Sequence, residues 1–111
     1  NQPIFEFQGL QFMMADMACE ITASELLVQK AATNFDAGIN DQKIAAMAKL
    51  KATDTAMSVT TDAVQIMGGV GYTSEFPLER FMRDAKVLQI VEGTNQIQRV
   101  VISRMLKKEY S

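Results

Sequence analysis

The scarcity of helix-breaking residues constrains this chain more than any other feature of its sequence. Its two prolines are Pro3 and Pro77, so the stretch between them lacks the residue that most strongly interrupts a helix. Apolar side chains recur there three or four positions apart, which is the spacing of one helix face. Repeats and low-complexity segments are absent. The pattern predicts an all-α protein folded as an antiparallel helical bundle.

One break divides the proline-free stretch into two long helices. Gly38 is a natural helix stop, and Asn40 or Asp41 can cap the helix that follows. We predict one helix over residues 9–33 and another over residues 41–67. The apolar stripe of the first is Leu10, Met13, Met14, Met17, Ile21 and Val28, and that of the second is Ile44, Ala48, Ala52, Thr55, Val59, Ala63 and Ile66. Because the second stripe is rich in alanine, a neighbouring helix can approach it closely.

The last third of the chain predicts shorter elements. A third helix, capped by Thr73 or Ser74 with Pro77 in its first turn, should end near Lys86. The apolar, β-branched segment 87–91 favours a brief extended or irregular link.

A final helix is predicted after Gly93. Thr94 or Asn95 can cap it, and Asn95 with Gln98 resembles a capping box. Its inward positions are expected to be Ile97, Val100, Val101 and Met105.

Composition excludes several classes of function. The chain has no histidine and one cysteine, Cys19, which excludes the usual Cys/His metal sites, an internal disulfide and any Ser-His or Cys-His nucleophile. Cys19 is expected to be a buried small hydrophobic residue. With a net charge of −2 and no basic block longer than Lys107-Lys108, a nucleic-acid surface is disfavoured. No apolar run approaches the roughly 20 residues that span a bilayer. We expect a soluble, cytosolic protein of one domain, residues 1–111, with no metal site.

Glu92 is the candidate for chemistry, and two interpretations of it stay open from the residues alone. It lies between an apolar run and Gly93, just before a helix, where an acidic side chain favours the helix dipole. Alternatively it is a carboxylate base held on a turn, with Gly93 allowing close backbone approach to a ligand. Ile90 and Val91 would then help to desolvate the carboxylate.

The cluster Gly68-Gly69-Val70-Gly71 also has two interpretations. Glycine-rich backbone lets amide N–H groups reach phosphate oxygens. The cluster follows a helix rather than a strand, however, so it lacks the context of the dinucleotide fingerprint, and a plain helix cap and turn also explains it.

At these same residues the sequence resembles the acyl-CoA dehydrogenase family. The resemblance is carried by Gln65-Ile66-Met67-Gly68-Gly69-Val70-Gly71-Tyr72-Thr73 and by Val91-Glu92-Gly93-Thr94-Asn95-Gln96-Ile97-Gln98-Arg99. It implies a C-terminal helical domain of a flavoenzyme that oxidises an acyl-CoA to its trans-2-enoyl-CoA. The family's bundle has one further helix upstream, which this chain is expected to lack.

The resemblance also implies roles for individual residues. Glu92 matches the base that abstracts the α-proton while hydride passes to flavin N5, and Gly93 lies where the family contacts substrate. FAD contacts are implied for Thr94, Asn95 and Gln96. A neighbouring subunit's FAD would be reached by Gln65, Ile66, Met67, Gly68 and Gly69. Where the family often has an aromatic residue before the base, this chain has Val91, which alters the width of the acyl pocket.

Further expectations follow from the same resemblance. The implied partners are an acyl-CoA substrate, an electron-transfer flavoprotein and copies of the same chain, as a dimer or tetramer. The location would be the bacterial cytoplasm or the mitochondrial matrix. Most of the flavin site would lie outside this chain, so the chain alone is expected to be inactive and, with apolar helix faces uncovered, to self-associate. The alternatives are a non-catalytic helical interaction module and an acyl-CoA oxidase relative that passes electrons to oxygen.

Overall fold

Four α-helices make up the fold, as a computed structural model of the chain shows. The structure describes residues 8–67, 78–91 and 93–110, and no strand occurs among them. The helices are α1 (Gln8–Asp36), α2 (Gln42–Met67), α3 (Leu78–Ile90) and α4 (Asn95–Glu109). The all-α prediction is confirmed, and both long helices lie where the sequence places them. None of these helices is long and apolar enough to cross a membrane.

Helix α1 ends in a glycine cap, as predicted. Gly38 has a φ of +72°, which an L side chain rarely adopts. Its N–H donates to Phe35 O at 3.1 Å, and the N–H of Ile39 donates to Asn34 O at 2.8 Å. These two bonds form a Schellman motif, which satisfies carbonyls that the helix end leaves without partners.

Asp41 caps the start of α2. Its Oδ1 accepts a hydrogen bond from the N–H of Ile44 at 3.1 Å. This contact satisfies one of the donors that the first turn of a helix leaves free, and it decides between Asn40 and Asp41 as the cap.

Helix α2 is the central element, because it packs against α1, α3 and α4. The direction of α4 follows from two ion pairs. Lys43 near the start of α2 lies 2.5 Å from Glu109 at the end of α4, whereas Asp54 further along α2 lies 3.2 Å from Arg99 near the start of α4. Helices α2 and α4 therefore run antiparallel, as the bundle prediction requires.

The core contains small side chains. Among the described residues, the buried apolar positions are Ala46 and Ala48 of α2 and Ala85 of α3. Ala48 belongs to the predicted alanine-rich stripe, and its small side chain allows the close helix approach that the composition predicts.

A buried pair of hydroxyls joins α1 to α2. Ser24 Oγ lies 2.9 Å from Thr55 Oγ1 and 2.8 Å from the carbonyl oxygen of Glu20. A hydroxyl carries a single proton, so when Ser24 donates to Glu20 O it accepts from Thr55. Thr55, which the apolar stripe includes, thus makes a polar contact at the α1–α2 interface.

Three expectations about single positions are wrong. Residues 87–90 continue α3 instead of forming an extended link, because α3 keeps packing on α2 up to Gln89. Ile97 and Val100 do not point inward: their exposed fractions are 52% and 43%. Cys19 is exposed rather than buried.

The predicted stripe of α1 is also incompletely covered. Ile21 and Val28 are exposed at 39% and 46%, and they border an open groove of about 430 Å³ between α1 and α2. Part of the apolar face of α1 therefore has no covering element in the described part of the chain.

Candidate functional site

Polar side chains from three helices meet where α3 turns into α4. Lys49 lies about one turn before the adjacent Thr53 and Asp54 on α2, Gln89 lies at the end of α3, and Asn95 is the first residue of α4. We call these five residues the Asn95 cluster. Their hydrogen bonds join positions that are 35 to 46 residues apart in the sequence.

Asn95 is the centre of this cluster, and only 4% of it is exposed. Its Nδ2 donates to Asp54 Oδ1 at 2.6 Å and to Thr53 Oγ1 at 2.9 Å. Its Oδ1 accepts from Lys49 Nζ at 2.7 Å. Both amide protons and the carbonyl oxygen therefore have partners, as a buried polar side chain requires.

Lys49 has three acceptors around its ammonium group. Besides Asn95 Oδ1, Nζ lies 3.0 Å from Gly93 O and 3.3 Å from Gln89 O. The first carbonyl belongs to the turn before α4 and the second to the last turn of α3. A side chain of α2 thereby contacts both ends of the α3–α4 connection.

Asp54 supplies the opposite charge. Its Oδ1 accepts from Gln89 Nε2 at 2.8 Å as well as from Asn95, and its Oδ2 pairs with Arg99. The carboxylate lies beside the first turn of α4, where a negative charge is favourable to the helix dipole.

The turn itself requires glycine at position 93. Gly93 has a φ of +87°, and a Cβ built on it would lie 3.1 Å from Gln98 Nε2. Gln98 Nε2 donates to Gly93 O at 3.4 Å, so the backbone and this side chain are in contact. Thr94 then caps α4, since its Oγ1 accepts from the N–H of Ile97 at 3.3 Å. The proposed capping box of Asn95 and Gln98 is therefore wrong.

Comparison with known proteins identifies the family of this chain. The family described as "Acyl-CoA dehydrogenase, C-terminal domain" matches residues 1–107. This chain belongs to the acyl-CoA dehydrogenase family. The resemblance stated from the sequence is thereby confirmed.

Similar proteins of the acyl-CoA dehydrogenase family come from several bacteria. The protein named "Probable acyl-CoA dehydrogenase fadE25" of Mycobacterium leprae is 58% identical over 107 residues, which are 96% of this chain and 28% of that protein. The butyryl-CoA dehydrogenase structure from Megasphaera elsdenii matches with a TM-score of 0.93 and 48% identity, over 96% of this chain and 28% of that one.

A second solved structure is also similar to this chain. It is a structure of the electron transferring flavoprotein of Acidaminococcus fermentans, and one of its chains matches with a TM-score of 0.91 and 58% identity. The match covers 93% of this chain and 27% of that chain. This acyl-CoA dehydrogenase domain thus spans between a quarter and a third of the length of the relatives it matches.

The structure brings together one group of the predicted site residues. Gly93 and Thr94 form the turn, and Thr94, Asn95 and Gln96 border a polar cavity of about 270 Å³. The cavity is also lined by Asp54, Lys86, Gln89, Ile90 and Arg99. Glu92, the predicted base, lies outside the described residues.

The second predicted group lies elsewhere on the chain. Gln65 and Ile66 are at the end of α2, where Met67 is the last helical residue. Eleven residues of continuous helix separate Gln65 from Asp54, which corresponds to about 16 Å. Gly68 and Gly69 lie outside the described residues. Gln65 and Ile66 therefore lie apart from the turn that contains Gly93 and Thr94.

Sequence reasoning missed Lys49 and Asp54, and it missed the partners of Asn95. A signal was present, because Lys49, Thr53 and Asp54 are polar residues directly next to positions of the alanine-rich stripe of α2. The sequence alone does not show where α4 packs, however, so these residues cannot be distinguished from ordinary polar residues beside that stripe.

The described residues provide no metal centre. In residues 8–67, 78–91 and 93–110, no group of three or more Cys, Asp or Glu side chains is placed to hold a metal ion.

Proposed function

We propose that this domain supplies the catalytic base and part of the flavin site of an FAD-dependent acyl-CoA dehydrogenase. The observation that supports this most strongly is the turn around Gly93. Gly93, directly after Glu92 in the sequence, has left-handed backbone, and Thr94 caps the helix that follows. Lys49 of α2 donates a hydrogen bond to the carbonyl oxygen of Gly93. Such a turn holds a side chain on rigid elements, which is what a catalytic group needs.

In this proposal Glu92 abstracts the α-proton of the acyl thioester. The proton moves to the Glu92 carboxylate, and the β-hydrogen leaves with its electron pair, so that a trans C=C bond forms between the α and β carbons. The backbone N–H of Glu92 donates to the thioester oxygen and stabilises the negative charge that develops there. Bound FAD would supply the hydride acceptor.

Glycine at position 93 has a purpose in this mechanism. Because it carries no side chain, the thioester can approach the backbone directly after Glu92. Ile90 and Val91 are 55% and 41% exposed. Their apolar surface is therefore available to be covered by the substrate's acyl chain or by another part of the enzyme.

The polar cavity beside the turn is chemically suited to part of a dinucleotide. Lys86 and Arg99 at its border carry positive charge, and Thr94 and Gln96 carry donors. Thr94 Oγ1 accepts from Ile97 N and retains its own proton to donate. The side chain of Asn95 is engaged within the chain, so we expect a flavin contact at position 95 to come from its backbone. Gln65–Gly69 would reach the FAD of a neighbouring subunit in a homo-oligomer.

The proposed electron acceptor is an electron-transfer flavoprotein, and the proposed location is the bacterial cytoplasm. Support for the acceptor comes from the similarity to a chain in the Acidaminococcus fermentans electron transferring flavoprotein structure. An oxidase would instead release hydrogen peroxide in air, so a peroxide assay separates the two acceptors.

The base is tested in a hybrid enzyme. In it this chain replaces the matching segment of Megasphaera elsdenii butyryl-CoA dehydrogenase, with which it is 48% identical. We expect the hybrid to reduce a dye acceptor with butyryl-CoA, and Glu92→Gln to lower that rate by about 10³-fold or more while the flavin absorbance remains. Glu25→Gln, a matched change on α1, should leave the rate unchanged. Retained activity in Glu92→Gln would refute the assignment.

A further inference from the structure

The geometry points to Lys49 as the residue that positions the turn bearing the proposed base. Its Nζ contacts Gln89 O at 3.3 Å, Gly93 O at 3.0 Å and Asn95 Oδ1 at 2.7 Å. An ammonium group has three donors, and here each has an acceptor. The inference rests on the proposed function in one respect only, namely that the residue held by this turn, Glu92, is the base.

Two of the three acceptors are backbone carbonyls on either side of Glu92 in the sequence. Gln89 lies three positions before it and Gly93 one position after it. A single cation therefore fixes the distance between the last turn of α3 and the turn that leads into α4. Because both acceptors are backbone atoms, the contact constrains the path of the chain itself.

The acceptors need this cation. The carbonyl of Gln89 lies in the last turn of α3, where carbonyls have no intrahelical partner and the helix dipole favours a positive charge. Asn95 Oδ1 belongs to a buried side chain whose two amide protons are already donated to Thr53 and Asp54. Without Lys49, Gln89 O and Asn95 Oδ1 lose the donor described for them, and Gly93 O keeps the long contact from Gln98 Nε2 at 3.4 Å.

The Asn95 cluster also contains a residue of opposite charge to Lys49. Asp54, five residues further along α2, accepts from Gln89 and Asn95, which are two of the residues that Lys49 contacts. Lys49 thus lies at the end of α3 and Asp54 at the start of α4, each beside the helix end that its charge favours. The side chains of α2 thereby hold both helix ends to one rigid element.

An enzyme whose catalytic base is misplaced reacts more slowly even when it still binds its substrate. A displacement of about 1 Å can cost on the order of 10²-fold in rate. We therefore expect Lys49→Met, which keeps a long unbranched side chain and removes the donors, to lower kcat of the hybrid enzyme by about 10- to 100-fold. KM for butyryl-CoA and the flavin content should change less than about threefold. Lys49→Arg, which retains donors at nearly the same reach, should recover part of kcat.

Lys51→Met is the matched control. Lys51 lies on the same helix and forms its ion pair with Glu20 of α1, away from the turn. Its replacement should leave kcat within twofold. The proposal is overturned if Lys49→Met also keeps kcat within twofold, or if Lys49→Arg is no better than Lys49→Met.

A second measurement uses the chain itself and does not depend on Glu92. In Lys49→Met, amide hydrogen exchange should accelerate at Val91, Ile97 and Gln98, whose N–H groups bond around the turn, while α1 keeps its protection. Uniform loss of protection across all helices would show a general structural role and overturn the proposal. If Glu92→Gln keeps activity while this local exchange effect appears, the proposed base fails and the role of Lys49 in holding the turn stands.

Discussion

Asn95 Nδ2 donates to Asp54 Oδ1 at 2.6 Å, a contact between the first residue of α4 and the middle of α2. It joins residues that are 41 positions apart in the sequence. Because Asn95 is buried and also bonds Lys49 and Thr53, this contact belongs to a network that holds α4 in place.

Replacing Asn95 should destabilise the whole domain. Asn95→Ala removes three hydrogen bonds, and water can replace the lost one at Asp54, whose side chain is partly exposed and keeps its contacts with Gln89 and Arg99. We expect a loss of about 2 kcal/mol in the free energy of unfolding, measured by urea denaturation. Gln96→Ala, at the exposed neighbouring position, should change it by less than about 0.5 kcal/mol. Equal stability of the two variants would contradict the role given to Asn95.

Two glycines with positive φ allow the energetic cost of backbone strain to be distinguished from the cost of steric contact. Gly38→Ala meets no atom within 4 Å, so its cost comes from the backbone alone, about 1–2 kcal/mol. Gly93→Ala adds a contact of 3.1 Å to Gln98 Nε2 and should cost more than Gly38→Ala. Gly9→Ala, with open space around it and ordinary helical backbone, is the control and should not destabilise. Thermal unfolding of the three variants checks the order, and a Gly93→Ala variant as stable as Gly9→Ala would contradict it.

The ion pair between Lys43 and Glu109 should respond to alkaline pH. The hydrogen bond to Glu109 is the main reason that the pKa of Lys43 is raised above its ordinary value of 10.5. A raised pKa means that the folded chain holds this proton more tightly than the unfolded chain. The contribution is therefore complete below 10.5 and is lost as the pH rises through the folded-state value.

The measurement compares the wild-type chain with Lys43→Met. The difference between their urea midpoints should be the same at neutral pH and at about pH 9, and it should shrink above 10.5. A difference that shrinks already between pH 7 and 9 would contradict the pKa direction.

The uncovered apolar side chains of α1 predict self-association of the chain. Phe12 and Leu26 are 62% and 60% exposed, and Ile21 and Val28 border the open groove between α1 and α2. Extensive exposed apolar surface is rare on monomers. Light scattering should give a mass above that of one chain, and Leu26→Lys with Val28→Lys should lower it. Tyr110→Ser, at an exposed position at the end of α4, serves as the control, and a monomer at every concentration would contradict the prediction.

Much of the fold could be predicted because its signals are local. The glycine cap at Gly38 and the aspartate cap at Asp41 depend on residues within one turn, and the structure confirms both. The extension of α3 through residues 87–90 could not be predicted in this way. Valine and isoleucine favour strands, but packing on α2 outweighs that preference, as the bond from Gln89 to Asp54 shows.

The candidate site was predictable in part for the same reason. Gly93 and Thr94 have the conformation and the cap that their residue types suggest. The contacts of Asn95 could not be predicted, because its partners Lys49, Thr53 and Asp54 lie on another helix. A pattern read along one helix contains no information about which polar residue of a second helix will face it.

The buried alanines of α2 and α3 have a mechanical consequence. A methyl group has no rotamers with which to accommodate a shifted neighbour, so the buried Ala46, Ala48 and Ala85 leave little room for adjustment where they pack. Because close-packed interiors transmit strain, a displacement of α3 would be passed on to α2 instead of being absorbed by side-chain rotation. Side-chain size at these three positions then determines how accurately distant parts of the molecule keep their spacing.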